Sequence, residues 1–311
     1  AAAAEMSLTV EDLRQLDGEA AVARAQRMEQ AGTLLRAHEE ERWFTLRRRP
    51  QREIPLRSAG QPYRLTRVPD GRLLGTLDEI RAWHEGHPGA IYLHAGQTYR
   101  VTELDRDERE IRLEPIEADY YTQVYARKET EILERCGERA LGPAKLAWGR
   151  LRVTTIIEGY GRRKLFGGEE ISRHPLEAPE QVLETIGFWF EAPAELLPML
   201  VSRERHPAGS LHAAEHAAIG LFPLLAICDR WDLGGISYAR HPQMDRPAVF
   251  IYDGWPGGVG LARDGFSRAE ALFERALKLL RTCPCEDGCP ACIHSPKCGS
   301  GNHPLDKEGA A

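Results

Sequence analysis

The sequence lacks the features that define several classes of protein. No apolar run reaches the ~18 residues that a membrane-spanning helix needs, and the N-terminus has no signal-peptide layout. The net charge is −6, so any attraction to nucleic acid must come from local basic patches. The G-x-x-x-x-G-K-[ST] loop and the Asp-Glu-Ala-Asp/His box are both absent, which excludes ATP hydrolysis by the P-loop route.

Cysteines are few and unevenly placed. Of the seven, five lie between Cys283 and Cys298, whereas Cys136 and Cys228 lie far from these. An odd and clustered set argues against a disulfide framework and for a metal site in a reducing compartment, so we expect a cytoplasmic protein. Four alanines at the start and Gly-Ala-Ala at the end look like the edges of a fragment. We therefore expect a catalytic domain to be missing from this chain.

The 311 residues suit two or three structural units. Residues 1–53, with helical spacing from Thr9 to Glu41 and a short strand at Trp43–Leu46, are predicted to be a winged-helix remnant. Residues 54–130 alternate short apolar segments with turn signals, which predicts a small β-rich unit. Residues 131–311 are predicted to be an α/β domain that ends in a four-cysteine zinc knob. The expected fold class is α+β.

The predicted elements of the last domain alternate in type. They are two strands, Leu151–Ile157 (ending at Gly159–Gly161) and Ala248–Tyr252, and two helices, Leu211–Ile227 and Arg268–Leu280.

The cysteine block is the strongest chemical signal. Zinc binds four thiolates tetrahedrally at ~2.3 Å, and the intervening Gly and Pro residues supply the tight turns that such a site needs. The favoured ligands are Cys283, Cys285, Cys289 and Cys292. Cys298 in place of Cys283 is geometrically reasonable, and His294 is a weaker substitute. A reduced cluster of free thiols or an iron–sulfur cluster are the alternatives. We expect one zinc ion per chain, in a closed and therefore structural site.

A second pattern, His212-Ala-Ala-Glu215-His216, matches the inverted zincin motif. Two histidines one helical turn apart can bind zinc while the glutamate serves as base. A third ligand would have to be recruited, with Glu270 or Glu274 as candidates. The Ala and Leu flanks favour the other interpretation, a buried helix in which the His and Glu side chains satisfy one another.

A glycine-rich turn, Tyr252–Gly260, follows a predicted strand and precedes a helix. Exposed amides at such a turn can cradle a phosphate. Its glycines miss the G-x-G-x-x-G spacing, so close backbone packing is the favoured role. Trp255 in this turn is a candidate for stacking on a nucleic-acid base.

Two basic clusters are candidate contacts to a phosphate backbone, although a solvated charge run is the alternative for either. The first comprises Arg47, Arg48, Arg49 and Arg52, and the second comprises Arg162, Arg163 and Lys164.

Several motifs in order resemble the C-terminal half of MrfA-type DEAD/DEAH-box helicases, including their zinc-binding (MZB) domain. The resemblance covers nearly the whole chain. Its motifs are His87–Tyr99, Asp119–Thr122, Leu211–Ala217, Tyr252–Gly260 and the cysteine block through Asp306.

The resemblance implies an ATP-dependent superfamily 2 helicase that translocates 3′ to 5′ on single-stranded DNA in DNA repair. Two RecA-like motor domains precede this region in such enzymes, and this chain departs from them by lacking both. The resemblance assigns zinc-ligand roles to the four favoured cysteines, with Cys298 as an uncertain fifth. It also favours the structural interpretation of His212, Glu215 and His216. We expect a region that binds single-stranded DNA and guides it for the motors. A metallopeptidase and an interaction platform for repair partners are the alternatives.

Overall fold

The computed structural model describes residues 7–37, 42–45 and 62–311, in two compact units, 1–59 and 60–311. The described part of the first unit is a helix with a kink at Asp17–Gly18 and a three-stranded antiparallel sheet in the order β1-β3-β2. These elements are β1 (Leu8–Thr9), α1 (Val10–Gln30), β2 (Leu35–Ala37) and β3 (Arg42–Phe44).

Local sequence explains both ends of α1. Thr9 and Asp12 form a capping box at its start. The prediction of helix from Thr9 to Glu41 is wrong after Gln30, because Gly32 adopts a φ of 70° and Leu35–Ala37 pairs with β3 as a strand. The basic run from Arg47 to Arg52 lies outside the described residues.

The second unit begins with a five-stranded sheet in the order β5-β4-β8-β7-β6, in which only β4 and β8 pair in parallel. It occupies the stretch predicted to be a small β-rich unit. Tyr63, Leu65, Ile111 and Leu113 form part of its buried core. Its elements are β4 (Tyr63–Arg67), β5 (Arg72–Leu77), α2 (Glu79–Glu85), β6 (Ile91–His94), β7 (Gln97–Asp105) and β8 (Glu110–Pro115).

A larger antiparallel sheet follows, in the order β11-β10-β12-β14-β13, with β9 also paired to β10. Strands β9 and β10 form a long hairpin whose pairing runs from Leu141–Ala144 to Tyr120–Lys164. The strands are β9 (Tyr120–Leu141), β10 (Ala144–Lys164), β11 (Glu170–Pro175), β12 (Gln181–Glu191), β13 (Leu233–Tyr238) and β14 (Ala248–Asp253).

Two glycines in β10 have a different role from the one expected. The predicted end of the strand at Gly159–Gly161 is wrong, since β10 continues to Lys164. A Cβ on Gly159 would lie 2.5 Å from the carbonyl oxygen of His174, and one on Gly161 would lie 2.2 Å from the Tyr125 hydroxyl. These glycines permit close approach of neighbouring groups rather than a turn.

The helices of the second unit pack on the large sheet and on one another. Helix α4 contacts β13, β14, α6 and α7. The predicted helix Leu211–Ile227 begins earlier and ends at Leu221, where a 3-10 turn at Phe222–Leu224 contains a proline. The helices are α3 (Leu196–Ser202), α4 (Pro207–Leu221), α5 (Leu261–Ser267), α6 (Ala269–Thr282) and α7 (Lys307–Ala310).

The α+β fold class is confirmed by this mixture of separate sheets and helices. The division into 1–53, 54–130 and 131–311 stays a prediction, and strand β9 runs through the second of its boundaries. No helix in the described ranges is long and apolar enough to span a bilayer.

Candidate metal centre

Four of the five clustered cysteines bring their sulfur atoms together. The Sγ atoms of Cys283, Cys285, Cys289 and Cys292 all lie within 4.8 Å of one another. The pairs Cys283–Cys285, Cys283–Cys289, Cys285–Cys292 and Cys289–Cys292 are 3.5, 3.6, 3.5 and 3.7 Å apart. Sulfurs on one tetrahedral zinc at ~2.3 Å would be about 3.8 Å apart, so these four thiols fit one zinc ion.

The end of α6 and a tight turn present these sulfurs. Helix α6 ends immediately before Cys283. Gly288 has a φ of 105°, and a Cβ there would lie 2.5 Å from the Ile293 side chain, so only glycine fits without a shift. The Cys289 carbonyl oxygen accepts a hydrogen bond from the Cys292 amide, which closes the turn between these two cysteines.

Lys307 places a positive charge beside this cluster. Its Nζ donates to the carbonyl oxygen of Cys283 at 2.7 Å and also to that of Cys285. Four thiolates around Zn²⁺ carry a net charge of about −2, which a nearby buried ammonium group partly offsets. Sequence reasoning missed this lysine, because a single Lys outside the cysteine block carries no motif.

A second group of potential metal ligands lies between α4 and the loop before α7. The ligand atoms of His212, His216 and Cys298 lie within 4.8 Å of one another. Cys298 thus joins the two histidines instead of replacing Cys283 in the four-cysteine group. Burial alone would raise the pKa of Cys298, but hydrogen bonds from His212 and His216 outweigh it and lower the pKa to about 4.

Neither Glu270 nor Glu274, the two candidates for a third ligand, lies with the histidines. Glu270 forms an ion pair with Arg139 instead, and Glu274 is exposed. Neither belongs to a metal-binding group among the residues that the structure describes. Cys298 was missed because 86 residues separate it from His212, so no short motif contains both.

Glu215 is buried, as the apolar flanks predict, with 6% of its surface exposed. Burial raises the pKa of its carboxyl, and the positive charges of His216, His212 and Lys128 oppose that rise. The two histidine rings were expected to pair with Glu215, but each bonds to a backbone carbonyl oxygen instead. His212 Nδ1 is 2.8 Å from the Pro304 carbonyl oxygen, and His216 Nδ1 is 2.6 Å from that of Ile293.

The glycine-rich turn closes on the chain's own carboxylate. The buried Asp253 side chain accepts hydrogen bonds from the amides of Val259, Gly260 and Ala262 at 2.6, 2.8 and 2.6 Å. These amides are therefore already bonded, which removes the basis for a phosphate cradle and agrees with a packing role. The half-buried Trp255 lies on the same turn.

The second basic cluster lies at the end of β10, where every member has an intramolecular partner. Arg162 lies over the Tyr120 ring at 5.2 Å. Arg163 donates to the Gly168 carbonyl oxygen at 3.1 Å, and Lys164 pairs with Glu169 at 2.6 Å. Because the Lys164–Glu169 pair is exposed, it contributes only ~0–1 kcal/mol and can exchange for an external anion.

An apolar tip follows this cluster directly. In the turn between β10 and β11, Phe166 is 91% exposed and Leu165 is 52% exposed. The next two residues, Gly167 and Gly168, both have positive φ and form the turn. Sequence reasoning missed Phe166, although an aromatic residue between a basic run and a Gly-Gly pair is a recognisable signal.

Comparison with known proteins gives a consistent result. Residues 214–293 match the MZB family, described as the MrfA Zn-binding domain. An uncharacterized protein of Methanocaldococcus jannaschii is 44% identical over 100 residues, covering 31% of this chain and 89% of that protein. The uncharacterized ATP-dependent helicase YprA of Bacillus subtilis is 30% identical over 251 residues, covering 78% of this chain and 33% of the helicase. The ATP-dependent helicase HRQ1 of Saccharomyces cerevisiae is 24% identical over 281 residues, covering 84% and 26%.

Solved structures agree with these relatives. A crystal structure of the DUF1998 helicase MrfA bound to DNA aligns with a TM-score of 0.57 at 26% identity, covering 89% of this chain and 37% of that one. A second, with DNA and AMPPNP, aligns with a TM-score of 0.54 at 26% identity, covering 92% and 35%.

These matches define a zinc-binding accessory region of the helicase class. The chain belongs to the MrfA Zn-binding domain family and corresponds to the C-terminal region of MrfA-type helicases, as its motifs predict. Zinc is its metal. The chain spans 33% of the length of YprA and 26% of that of HRQ1.

Proposed function

We propose that this region binds single-stranded DNA and guides it for RecA-like motor domains of the same natural protein. The observation that carries the proposal is the exposed Phe166 in the turn that directly follows the basic end of strand β10. Proteins that bind single strands without sequence preference combine cations along the backbone with aromatic rings on which bases stack. The β10–β11 turn offers both within five residues, from Arg162 to Phe166.

The ion pairs of the basic cluster suit this role. Lys164 is 56% exposed and its partner Glu169 is 70% exposed, so a phosphate can replace the glutamate at small cost. Binding by so few cations on a chain with a net charge of −6 should be weak and salt-dependent. Trp255 and the residues Arg47, Arg48, Arg49 and Arg52 remain predicted contacts in this proposal.

In the same proposal, Cys283, Cys285, Cys289 and Cys292 hold a structural zinc ion. Four sulfurs leave no open coordination position, so the ion stabilises the C-terminal turns and does no chemistry. The short distances between their four Sγ atoms and the positive charge of Lys307 support this assignment.

The wider role comes from the family resemblance. We propose that the whole protein is an ATP-dependent helicase that moves 3′ to 5′ and serves DNA repair in the cytoplasm. YprA and HRQ1 are described as ATP-dependent helicases, and the aligned MrfA structure contains DNA. Those properties require motor domains that this chain does not contain.

The metallopeptidase alternative has less support. A base needs access to a metal-bound water, but Glu215 is buried against β13, where a Cβ on Gly235 would lie 2.5 Å from its Oε1. No observation on the described residues favours an interaction platform over DNA binding.

Fluorescence anisotropy with a labelled oligothymidylate tests the DNA-binding proposal. Stacking on one aromatic ring is worth ~1–3 kcal/mol, so Phe166→Ala should weaken binding roughly 5- to 150-fold. Phe166→Trp should retain it. Ile227→Ala is the matched control, since that apolar side chain is also fully exposed but lies outside the basic turn. Unchanged affinity in Phe166→Ala, with the oligonucleotide bound normally by the parent chain, contradicts the proposal.

A further inference from the structure

Three metal-binding side chains converge outside the four-cysteine cluster. His212 and His216 are one turn apart on α4, with ring centroids 4.3 Å apart. Cys298, from the loop before α7, has its Sγ 3.4 Å from His212 Nε2. The three donor atoms lie within 4.8 Å of one another, a spacing that a single ion can bridge.

Backbone contacts orient both rings for coordination. A carbonyl oxygen only accepts, so Nδ1 of His212 donates to Pro304 and Nδ1 of His216 donates to Ile293. With one proton of each ring fixed on Nδ1, release of the Nε2 proton to solvent leaves a lone pair on Nε2 that can bind a metal ion. Metal-ligating histidines are usually held this way, by donating their other ring N–H to a backbone carbonyl or a carboxylate.

The loop that carries Cys298 is also held in place. The Cys298 sulfur accepts a hydrogen bond from the Asn302 amide at 3.3 Å and lies 3.2 Å from the Ser300 hydroxyl. Asn302 bonds back to Ser295 twice, at 2.8 and 3.1 Å, which closes the loop around the thiol. Both Cys298 and His216 are buried, so the geometry does not depend on mobile surface side chains.

We propose that His212 Nε2, His216 Nε2 and Cys298 Sγ form a second metal site, which takes Zn²⁺ with solvent or an external donor in the fourth position. Two imidazoles and one thiolate are a donor set that suits zinc. The described His, Cys, Asp and Glu side chains supply these three donors and no fourth. This goes beyond the proposed DNA binding and beyond the single zinc ion that the cysteine spacing predicts.

The second site would fasten the C-terminal loop to α4. The ion would link helix Pro207–Leu221 to the segment from Cys298 to Pro304, which contains turns but neither a helix nor a strand. It would act independently of the four-cysteine ion, because the two groups share no ligand.

Metal content of the purified full chain tests the proposal. After chelation, reloading with excess Zn²⁺ and desalting, elemental analysis should give two zinc ions per parent chain. Cys298→Ser, His212→Gln and His216→Gln should each give one. Cys292→Ser should also give one, through loss of the other ion. Cys136→Ser, which changes an exposed thiol outside both groups, should keep two.

Cobalt loading keeps the test decisive even if a variant folds poorly. With two Co²⁺ ions bound, the parent chain should show sulfur-to-cobalt charge-transfer absorption from five thiolates. Zinc-protected Cys298 should resist alkylation by iodoacetamide in the folded parent chain. One metal ion per folded parent chain, with Cys298 freely alkylated at metal saturation, would overturn the second site. That result would leave the DNA-binding proposal untouched.

Discussion

The Nδ1 atom of His216 donates a hydrogen bond of 2.6 Å to the carbonyl oxygen of Ile293. Ile293 follows Cys292 directly, so this bond joins helix α4 to the loop of the four-cysteine group. Ile293 is itself 1% exposed and packs with Ala213, Ala217 and Leu280. The last part of the chain is therefore attached to the helical core by an apolar cluster as well as by this hydrogen bond.

We expect removal of the four-cysteine zinc to loosen the C-terminal segment and leave the preceding core folded. Metal binding at such sites contributes on the order of 10 kcal/mol to local folding in small zinc peptides. The large sheet has its own buried core, including Phe188, Ile251 and Phe222, so it should not depend on the ion. Limited proteolysis after chelation should cut from about Cys283 onward while far-UV circular dichroism changes little.

Without a chelator, Cys292→Ser should expose the stretch from Cys283 to Cys292 to protease while the second ion keeps Cys298 on α4. Cys298→Ser should keep the four-cysteine ion. Cys136→Ser serves as the control because its thiol is exposed and remote from the block in sequence. A protease pattern for Cys292→Ser that matches the parent chain would show that the ion does not order this segment.

Local patterns in the sequence were sufficient for the cysteine cluster and for some elements of the second unit, such as strand β14 and helix α6. The four cysteines are close in sequence, and the tight turns between them leave few arrangements of the chain in which their sulfurs do not meet. Strand Ala248–Asp253 was predicted to within one residue, since a run of apolar residues between turn signals is typical of a buried strand.

Asp253 should contribute strongly to stability. Its carboxylate is fully buried and accepts three amide hydrogen bonds from the glycine-rich turn. Asp253→Ala would leave these amides without an acceptor. The Ala262 bond is buried, whereas those of Val259 and Gly260 are only partly buried, so the cost is about 1–3 kcal/mol for the unpaired buried donor and less for the other two. Urea unfolding followed by circular dichroism measures this loss.

Asp107→Ala is the control for that substitution, because an exposed carboxylate should change stability by only about 0.5 kcal/mol or less. Asp253→Asn keeps one acceptor oxygen and should fall between the two. Equal stability of Asp253→Ala and the parent chain would mean that water satisfies the three amides.

Contacts between distant parts of the chain could not be predicted from local patterns. The glycine-rich turn suggested a phosphate site because its amides were expected to be exposed. In the structure those amides donate to the Asp253 carboxylate, which the preceding strand places beside them. Two strands and two α-helices separate Cys298 from the helix of His212 in the sequence, although the two residues are in contact in the fold. Such approaches depend on tertiary packing, which a single sequence does not reveal.

Single-strand binding should fall steeply with salt. If Arg162, Arg163 and Lys164 each neutralise one phosphate, the slope of log affinity against log salt is about −2, so a rise from about 50 to 200 mM lowers affinity roughly 20-fold. Glutamate substitutions at Arg47, Arg48 and Arg49, which lie outside the described residues, should weaken binding to all sequences alike. Titrations of oligonucleotides of different composition measure both effects. Affinity that stays constant across this salt range would argue against phosphate contacts.

The purified, zinc-loaded chain should hydrolyse neither ATP nor peptides. The sequence has no phosphate-binding loop, so the first activity has no structural basis. For the second, the carboxylate of Glu215 would have to reach a metal-bound water, yet it is 6% exposed and lies outside the group formed by His212, His216 and Cys298. A coupled phosphate-release assay and a quenched fluorescent peptide library measure the two activities. Peptide hydrolysis that disappears in Glu215→Gln but persists in Glu270→Gln, whose carboxylate pairs with Arg139, would instead establish a catalytic metal centre on α4.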